Sequence, residues 1–439
     1  MAKGLVKAPF KFDYSLYKID ENLRYLKRYK ETDLKGNYFY WDKFKYRIDK
    51  GDDVNIAWWS TKLARVLNSK NIEYIDKDES FFSFCIPANL EAKLHQITML
   101  SSQGIVPSKT IKQKYLISSL LMEEAISSAQ LEGASTTREI AKKMLSVGRE
   151  ANDKDEEMIL NNYLLMQEVK RIKDEDLSID MILDLHQIAT KGNNENGNIP
   201  GKLRKKNNIA VYNEQEIVHQ PPNFKELEKR LAMICEFANK KHLGEDNTLF
   251  INPIVKSIIL HFMIGYEHPF ADGNGRTARA IFYWFMLKNG FTYFEYISIS
   301  KLLKKAPKGY GLSYLYTEID DNDLTYFISY QINIIIRAID ELLSYLQNKS
   351  IEFEEISKLL NSSDIGRDLN FVQKDIVKKA IKEAGRIFIV KEISNDYDIS
   401  ENTARTYLKM LVKNRILIEY KDGRSMGYIA PSNLREVFL

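Results

Sequence analysis

One stretch of twelve residues, 268–279 (HPFADGNGRTAR), carries the side chains of this sequence that are best suited to chemistry. It contains an imidazole that can exchange a proton near neutral pH, a carboxylate, two guanidinium groups and a glycine-rich turn. Guanidinium groups bind phosphate oxygens through paired donors, and carboxylates are ligands that Mg²⁺ prefers. The stretch therefore predicts a site that binds a phosphate compound and acts on it.

Two predicted helices flank this stretch and position it. The first begins after Asn252, which can cap it, and ends before Pro269, which lacks an amide hydrogen and disfavours α geometry in His268. The second begins near Gly275 and continues to Gly290 with apolar residues on every side, so it must be buried. The turn between them therefore lies at a helix N-terminus, where amide hydrogens and the positive end of the helix dipole favour an anion.

The chemistry of each polar residue predicts its part in such a site. The glycines of the turn allow a phosphate to approach the backbone closely. Arg276 and Arg279 are three residues apart, so they project from one helical face and can bind phosphate oxygens together. Asp272 suits Mg²⁺, and His268 is the residue of the stretch that can act as a base near neutral pH.

Two other interpretations of the turn stay open. The residues Gly273-x-Gly275-x-x-Ala278 also fit the short pattern of dinucleotide-binding loops, and Glu295 lies near the spacing of the ribose-binding acid. That pattern requires a preceding strand, whereas the preceding segment has helical periodicity. A turn with a purely structural role is the second alternative, although such a turn rarely carries His, Asp and two Arg residues together.

The same stretch resembles the Fic family motif, HPFx(D/E)GN(G/K)RxxR, at every fixed position. The resemblance implies a mainly α-helical fold and the transfer of AMP from ATP to a hydroxyl side chain of a protein, with release of pyrophosphate. It implies that His268 is the catalytic base and that Asp272 is the Mg²⁺ ligand. The residues that it implies for binding of the ATP phosphates are Gly273, Asn274, Gly275, Arg276 and Arg279.

A second stretch, residues 128–133 (SAQLEG), follows a helical run that starts near Ile111. Taken alone, it is an ordinary helix end, because glycine commonly follows a helix C-terminus. In a Fic protein it resembles the autoinhibitory motif (S/T)xxxE(G/N), with Ser128 and Glu132 at the fixed positions. That resemblance implies an inhibitory helix over residues 111–133, in which Glu132 pairs with Arg279 and removes a phosphate clamp.

A β-hairpin is predicted between these two stretches. Apolar residues at 209, 211, 217 and 218 flank the turn-forming residues 213–215. The hairpin resembles the flap beside the Fic active site, where an extended target segment docks by strand addition. A solvent-exposed loop is the alternative. His186 and His219, which lie near these residues in the sequence, are predicted to be structural, and His261 is predicted to have a packing role.

The C-terminal residues 370–439 predict three helices followed by a hairpin wing. This order resembles a winged helix-turn-helix, whose third helix begins at the capping residue Ser400. That helix would present Asn402, Arg405, Thr406 and Lys409 to a major groove. The same fold also serves in dimerisation and protein docking, so DNA binding is one alternative of three. The predicted helices are 371–384, 390–397 and 400–414, and the predicted hairpin is 416–430.

The composition sets the frame for these sites. With 439 residues, of which 44% are hydrophobic, the chain divides into several domains. We predict an N-terminal domain at 1–105, a catalytic core at 106–345, a linker at 346–369 and the winged helix at 370–439. The net charge of +4 does not by itself indicate a nucleic-acid binder, and the two cysteines indicate neither a disulfide framework nor a zinc cluster. No apolar run approaches the roughly 18 residues of a membrane span, so we expect a cytoplasmic protein without membrane contact.

Two functions are therefore candidates. The first is an autoinhibited protein adenylyltransferase that uses ATP and Mg²⁺ and modifies a Tyr, Ser or Thr of a target protein, its own chain included. The second is a DNA-binding transcriptional regulator in which the Fic core is a sensor. A homodimer is a further candidate assembly for either function.

Overall fold

The computed structural model describes residues 8, 22–102, 122–193, 197–213, 216–245, 248–361, 364–383, 385–422, 425–431 and 434. Over these ranges the protein is mainly α-helical with small antiparallel sheets, which confirms the predicted fold class. None of the helices in these ranges has both the length and the apolar character that crossing a membrane requires.

The chain divides into two compact units. The first unit consists of Met1–Gln103, Asn161–Phe294 and Ile299–Ile336, and it contains the motif residues 268–279. Its sheets are two antiparallel hairpins, Lys70–Ile75 with Phe81–Phe84 and Val211–Asn213 with Glu216–His219. Its helices are Leu23–Arg28, Trp41–Phe44, Val54–Leu67, Ala88–Ser102, Ile179–Ala189, Leu227–Asn239, Pro253–Glu267, Asn274–Lys288, Ile299–Lys305 and Pro307–Ile319, with short 3₁₀ turns at Phe224–Glu226 and Thr292–Tyr296.

The helices Pro253–Glu267 and Asn274–Lys288 pack against each other in the interior of this unit. We call them the corner helix and the central helix. Asn252 caps the corner helix as predicted, because its side-chain oxygen accepts a hydrogen bond of 2.9 Å from the amide of Ile254. The central helix is apolar on all sides, and Trp284 on it is fully buried and donates to the carbonyl of Ile172 at 3.2 Å. The two helices therefore fix the turn that joins them.

The second unit consists of Gly104–Leu160, Glu295–Ser298 and Arg337–Leu439. Residues 122–131 are helical, whereas residues 111–121 of the predicted inhibitory helix lie outside the described part of the chain. A further helix, Arg138–Val147, packs against Val390–Tyr397. The remaining helices of this unit are Asp364–Arg367, Phe371–Lys382 and Glu401–Lys413.

A three-stranded antiparallel sheet completes the C-terminal region, in the order Ile387–Ile389, Ser425–Ile429, Ile418–Asp422. The three predicted helices are present with ends within a few residues of those expected. Ser400 caps the third, since its side chain accepts a hydrogen bond from the amide of Thr403. The strand Ile387–Ile389 was not predicted, because three residues between two helices carry too little pattern to indicate a strand.

Two long helices, Lys154–Arg171 and Thr325–Asn361, contain residues of both units. The second includes residues 346–361, which the sequence assigned to the start of a linker. Glu, Lys, Gln and Leu have high helix propensity, so this polar segment continues the helix. Residues 362 and 363, where the sequence predicts a break, lie outside the described residues.

Candidate active site

His268 occupies the sharp corner between the two motif helices. It follows the corner helix as its C-terminal cap in a left-handed conformation, with φ 46° and ψ 55°, and its amide donates to the carbonyl of Ile264. Its Nδ1 lies 3.3 Å from the carbonyl oxygen of Gly265. Because a carbonyl only accepts, Nδ1 carries the hydrogen and Nε2 is the basic nitrogen of the ring.

The turn that follows needs a glycine at 273. Gly273 has φ +80°, and a Cβ placed there would lie 2.5 Å from Cγ2 of Thr190. The first hydrogen bond of the central helix runs from the amide of Thr277 to the carbonyl of Gly273, at 3.0 Å. The amides of residues 274–276 precede that bond, so they form the positive N-terminal end of the helix. A helix N-terminus is therefore present at the turn, where the sequence predicts one, and such an end favours an anion.

Asn274 has a second task that the sequence did not reveal. Its side-chain oxygen accepts from the amide of Phe270 at 2.9 Å, and its side-chain nitrogen donates to the carbonyl of Phe270 at 3.0 Å. The residue is 3% exposed. Asn274 therefore closes the loop 270–274 with its side chain, while its backbone amide remains at the helix N-terminus.

Asp272 lies beside this turn with a side chain that is 35% exposed. One carboxylate oxygen accepts from the amide of Gly273 at 2.6 Å. The other accepts from Asn193 at 2.6 Å and from Nη2 of Arg276 at 3.2 Å. Asn193 was not predicted, because an asparagine in a loop 79 residues away in sequence carries no pattern that indicates it. Three donors thus orient a carboxylate that still reaches solvent.

Both motif arginines are buried, each 2% exposed. Nη1 of Arg276 donates to the carbonyl of Ala189 at 2.6 Å, which ties the guanidinium to the helix Ile179–Ala189. Arg279 lies close enough to His261 for its charge to act there: burial, together with the Arg279 charge, lowers the pKa of His261 to about 3. Nε2 of His261 lies 2.8 Å from the hydroxyl of Tyr310, so His261 has the packing role that the sequence favours.

His186, on the helix Ile179–Ala189, contacts two loops, one at Gly201 and one at residues 270–272. Its Nδ1 accepts from the amide of Gly201 at 3.0 Å, so its Nε2 carries the hydrogen and donates to the carbonyl of Asp272 at 3.0 Å. Its ring stacks on Phe270 with centroids 3.6 Å apart. Burial lowers the pKa of His186 to about 4, so the ring is neutral at pH 7. This residue positions the site, as expected, rather than reacting in it.

A buried ion pair directly precedes the corner. Glu267 is fully buried, and Nε of Arg230 donates to both of its carboxylate oxygens at 2.8 Å. The hydroxyl of Tyr74, in the first β-hairpin, donates to the same carboxylate. The N-terminal hairpin thus anchors the end of the corner helix, a link that residue types alone do not signal.

The predicted flap is present as an antiparallel hairpin beside the corner. Its strands pair Val211 with His219 and Asn213 with Glu216, with an irregularity between Val211 and the next residue. Nε2 of His219 donates to the carbonyl of Tyr266 at 2.7 Å, and Nδ1 lies 2.7 Å from Glu318. His219 therefore fixes the second strand of the flap to the corner helix, in a structural role.

The residues of the predicted inhibitory motif lie in the second unit, and Arg279 lies in the first. Ser128 is 6% exposed within the helical residues 122–131. Glu132 follows the last helical residue and is exposed, and Gly133 then adopts φ +109°. The helix thus ends at the glycine that the sequence indicated, with a carboxylate at its negative end.

Part of the chain that includes this site is similar to known proteins. Residues 176–286 match the model of the Fic/DOC family. The protein adenylyltransferase fic-1 of Caenorhabditis elegans is 45% identical over 49 residues, which are 11% of this chain and 10% of that protein. The protein adenylyltransferase Fic of Nematostella vectensis is 26% identical over 192 residues, 42% of each chain. A probable protein adenylyltransferase of Aquifex aeolicus (strain VF5) is 23% identical over 294 residues, 61% of this chain and 87% of that protein.

These matches differ in how much they cover. The chain spans about a tenth of the length of fic-1, the first of these relatives, which is the 10% given above. A solved structure of a C. elegans Fic-1 fragment with one substitution has a TM-score of 0.50 and 17% identity, over 70% of this chain and 80% of that chain. That likeness shows a shared fold. The match to the Fic/DOC family model, residues 176–286, includes the whole corner.

Proposed function

We propose that this protein is a protein adenylyltransferase, which transfers AMP from ATP to a Tyr, Ser or Thr hydroxyl of a protein and releases pyrophosphate. The observation that carries the proposal is the corner itself. The basic Nε2 of His268 belongs to a ring held at the corner, next to the N-terminal amides of the central helix. A base beside an anion-binding helix end is what attack on a phosphate requires.

Mg²⁺ fits the donor groups beside the turn. Within the described ranges no group of three or more His, Cys, Asp or Glu side chains forms a metal site made by protein alone. Magnesium bound with a nucleotide needs only one or two carboxylates besides the phosphates, and the partly exposed Asp272 supplies one. When bound there, the ion would neutralise charge on the phosphates.

The residues of the corner then have defined tasks in the reaction. As the target oxygen bonds to the α-phosphorus and the bond to the pyrophosphate oxygen breaks, Nε2 of His268 accepts the hydroxyl proton. The amides of residues 274–276, together with Arg276 and Arg279, bind phosphate oxygens. Arg276 is already held by Ala189 and Asp272, so little side-chain freedom is lost when the nucleotide binds.

Intact mass spectrometry after incubation with ATP and Mg²⁺ tests transfer, because self-modification adds AMP to the chain. We expect AMP addition to the Glu132→Gln variant and to host proteins supplied as a lysate with α-labelled ATP. Adding His268→Ala to the Glu132→Gln chain should remove this labelling, while the far-UV circular dichroism spectrum stays unchanged. Labelling that persists without His268 would contradict the assigned base, and labelling in neither variant would contradict the proposed activity.

We also propose that Glu132, with Ser128 on the preceding turn, holds the enzyme in an inhibited state. A carboxylate at a helix C-terminus is unfavourable unless a cation meets it, and the proposed cation is Arg279. Coupling between two sites typically changes a binding affinity by roughly 5–150-fold, and we expect the rate of transfer to change on that scale. Glu132→Gln should therefore raise transfer within that range, whereas Glu150→Gln, at another exposed glutamate of the same unit, should leave it unchanged. Equal rates for wild type and Glu132→Gln would contradict inhibition by Glu132.

DNA binding by the C-terminal region is the second candidate function. On the helix Glu401–Lys413, the side chains of Asn402, Arg405, Thr406 and Lys409 are all exposed, as a recognition helix requires. Fluorescence anisotropy tests DNA binding, with labelled DNA from upstream of the gene that encodes this chain, at low and at physiological salt. Binding that weakens with salt and is lost in the Arg405→Ala, Lys409→Ala double variant supports a regulator. Absence of binding at low salt contradicts it.

A further inference from the structure

We propose that Arg204 is a positioning residue that sets the backbone of the catalytic corner and the base of the flap in one fixed arrangement. The expected effect on AMP transfer rests on the proposed function, whereas the expected effect on the flap does not. Arg204 lies between the helix Ile179–Ala189 and the flap hairpin in sequence, outside the residues that carry the phosphate chemistry.

On one side, Arg204 binds the corner. Its Nε donates to the carbonyl of His268 at 2.9 Å, and Nη2 donates to the carbonyl of Glu267 at 3.4 Å. Its backbone amide donates to the carbonyl of Pro269 at 2.9 Å. These carbonyls end the corner helix, where a cation is favoured by the helix dipole. Three successive peptide groups around the catalytic residue are therefore held by one residue.

On the other side, the same guanidinium binds both ends of the flap. Nη1 donates to the carbonyl of Lys206 and to the side-chain oxygen of Asn207, each at 3.2 Å, before the hairpin begins. Nη2 donates to the carbonyl of Pro222 at 2.5 Å, after the hairpin ends. Asn207 also accepts from the amide of Phe224 at 2.8 Å, which closes the base of the flap. Corner and flap thus share one anchor.

The count of donors explains why the residue is an arginine. A guanidinium has five N–H groups in a fixed plane, and the five hydrogen bonds from Nε, Nη1 and Nη2 use one acceptor each. A lysine has three donors on a single nitrogen and cannot reach all five acceptors. The acceptors are four backbone carbonyls and one amide oxygen, so the arginine serves to hold the backbone in place and forms no direct ion pair with them.

Two consequences follow for function. His268 is in a left-handed conformation that is unfavourable for a residue with a Cβ, so its orientation depends on the contacts that hold it. A displacement of the base by about 1 Å lowers a rate by roughly 10²-fold. Loss of the Arg204 contacts should therefore slow the proton transfer and loosen the flap at the same time.

The first experiment measures the flap without relying on activity. In the full chain with Arg204→Lys, the amide hydrogens of Val211–Asn213 and Glu216–His219 should exchange with solvent at least about tenfold faster than in wild type. Amides of the central helix should stay within about twofold. The matched control is Arg171→Lys, at an exposed arginine paired with Glu168, and it should leave both sets unchanged. Unchanged flap exchange in Arg204→Lys would overturn the proposal.

If Arg204→Lys does not fold, Asn207→Ala decides the question. This variant removes one acceptor of Nη1 together with the acceptor of the Phe224 amide, and it leaves the contacts of Arg204 to the corner in place. We expect faster exchange in the flap and wild-type protection at the C-terminal end of the corner helix. If the flap amides were protected equally in this variant and in wild type, the proposal that Arg204 holds both the corner and the flap would be wrong.

The second experiment separates positioning from general destabilisation, in the Glu132→Gln background. Arg204→Lys should lower the rate of transfer by roughly 10²-fold with the KM for ATP within about twofold. In a chain that already carries His268→Ala, the slow residual transfer that long incubation accumulates should not fall further when Arg204→Lys is added, because the base that Arg204 positions is absent. If Arg204→Lys lowered the rate of transfer by the same factor with and without His268→Ala, Arg204 would only support folding. No transfer in any variant would count against the proposed function, while the exchange result would still decide the role of Arg204.

Discussion

Replacing Gly273 with alanine tests whether the turn before the central helix requires glycine both for its backbone and for space. The residue has φ +80°, a conformation that costs a residue with a Cβ about 1–2 kcal/mol. The new Cβ would lie 2.5 Å from Cγ2 of Thr190 and 3.3 Å from Cδ2 of His186. Overpacking of this kind costs about 1–3 kcal/mol. We therefore expect Gly273→Ala to lower the free energy of unfolding by about 2–5 kcal/mol.

A second substitution separates these two contributions. Thr190→Ser removes the Cγ2 methyl but keeps the hydroxyl, which donates to the carbonyl of His186 at 2.8 Å. Thr190→Ser alone should lower the free energy of unfolding by about 1 kcal/mol, because it removes one buried methyl group. When it is combined with Gly273→Ala, Thr190→Ser should restore the steric contribution to the lost free energy of unfolding, about 1–3 kcal/mol. The contribution from the left-handed backbone should remain. The double variant is then expected to be more stable than Gly273→Ala alone.

Native-state hydrogen exchange of the amides in the central helix measures these free energies within the first unit. The proposed transfer of AMP, measured in the same variants, reports whether the turn keeps its shape. If the double variant is no more stable than Gly273→Ala, the contact with Thr190 does not limit the turn. If Gly273→Ala is within about 0.5 kcal/mol of wild type, both the steric and the conformational arguments are wrong.

Two further predictions concern buried ionisable groups. Glu267→Gln leaves the buried guanidinium of Arg230 without its opposite charge, so we expect a loss of about 3–5 kcal/mol in urea unfolding; a loss below about 1 kcal/mol would contradict the role of this pair. Acid should also destabilise the protein, because burial lowers the pKa of His186 to about 4 and the pKa of His261 to about 3. Below the unfolded pKa of about 6.5 the unfolded chain binds more protons than the folded one, so stability falls as the pH decreases toward these values, with a slope of up to about 1.4 kcal/mol per pH unit for each group. His261→Gln should flatten this slope, and an equal slope in the variant and in wild type would show that His261 does not contribute.

The fold class and the positions of the motif helices could be predicted because their determinants are local. Asn252 before an apolar stripe indicates where the corner helix begins, and Pro269 indicates where it must end. The central helix begins at Asn274, one residue before the predicted start. Gly133 likewise marks the end of the helical residues 122–131, because a residue with positive φ is needed there. Each of these signals consists of residues next to the feature that they determine.

The partners of the site residues could not be predicted, because they come from distant segments and bind through groups that every residue has. Arg204 and Arg276 donate to backbone carbonyls, and a carbonyl has no residue-type signature. The side chain of Asn274 bonds to the backbone of Phe270, a task indistinguishable in sequence from binding a phosphate. The sequence favours a structural role for His186, but it does not indicate that His186 donates to the carbonyl of Asp272.

Two left-handed residues, His268 and Gly273, bracket the turn, and each is held by a segment before the motif. Arg204 binds the carbonyl of His268, while Thr190 and His186 pack against Gly273. A strained backbone persists only where its surroundings determine it, so the described residues of this segment, 186–193 and 197–204, determine the geometry of the corner as much as the motif does. Substitutions in that segment should therefore slow transfer while every motif residue stays in place. Such variants would separate the chemistry of the motif residues from the positions that their neighbours impose.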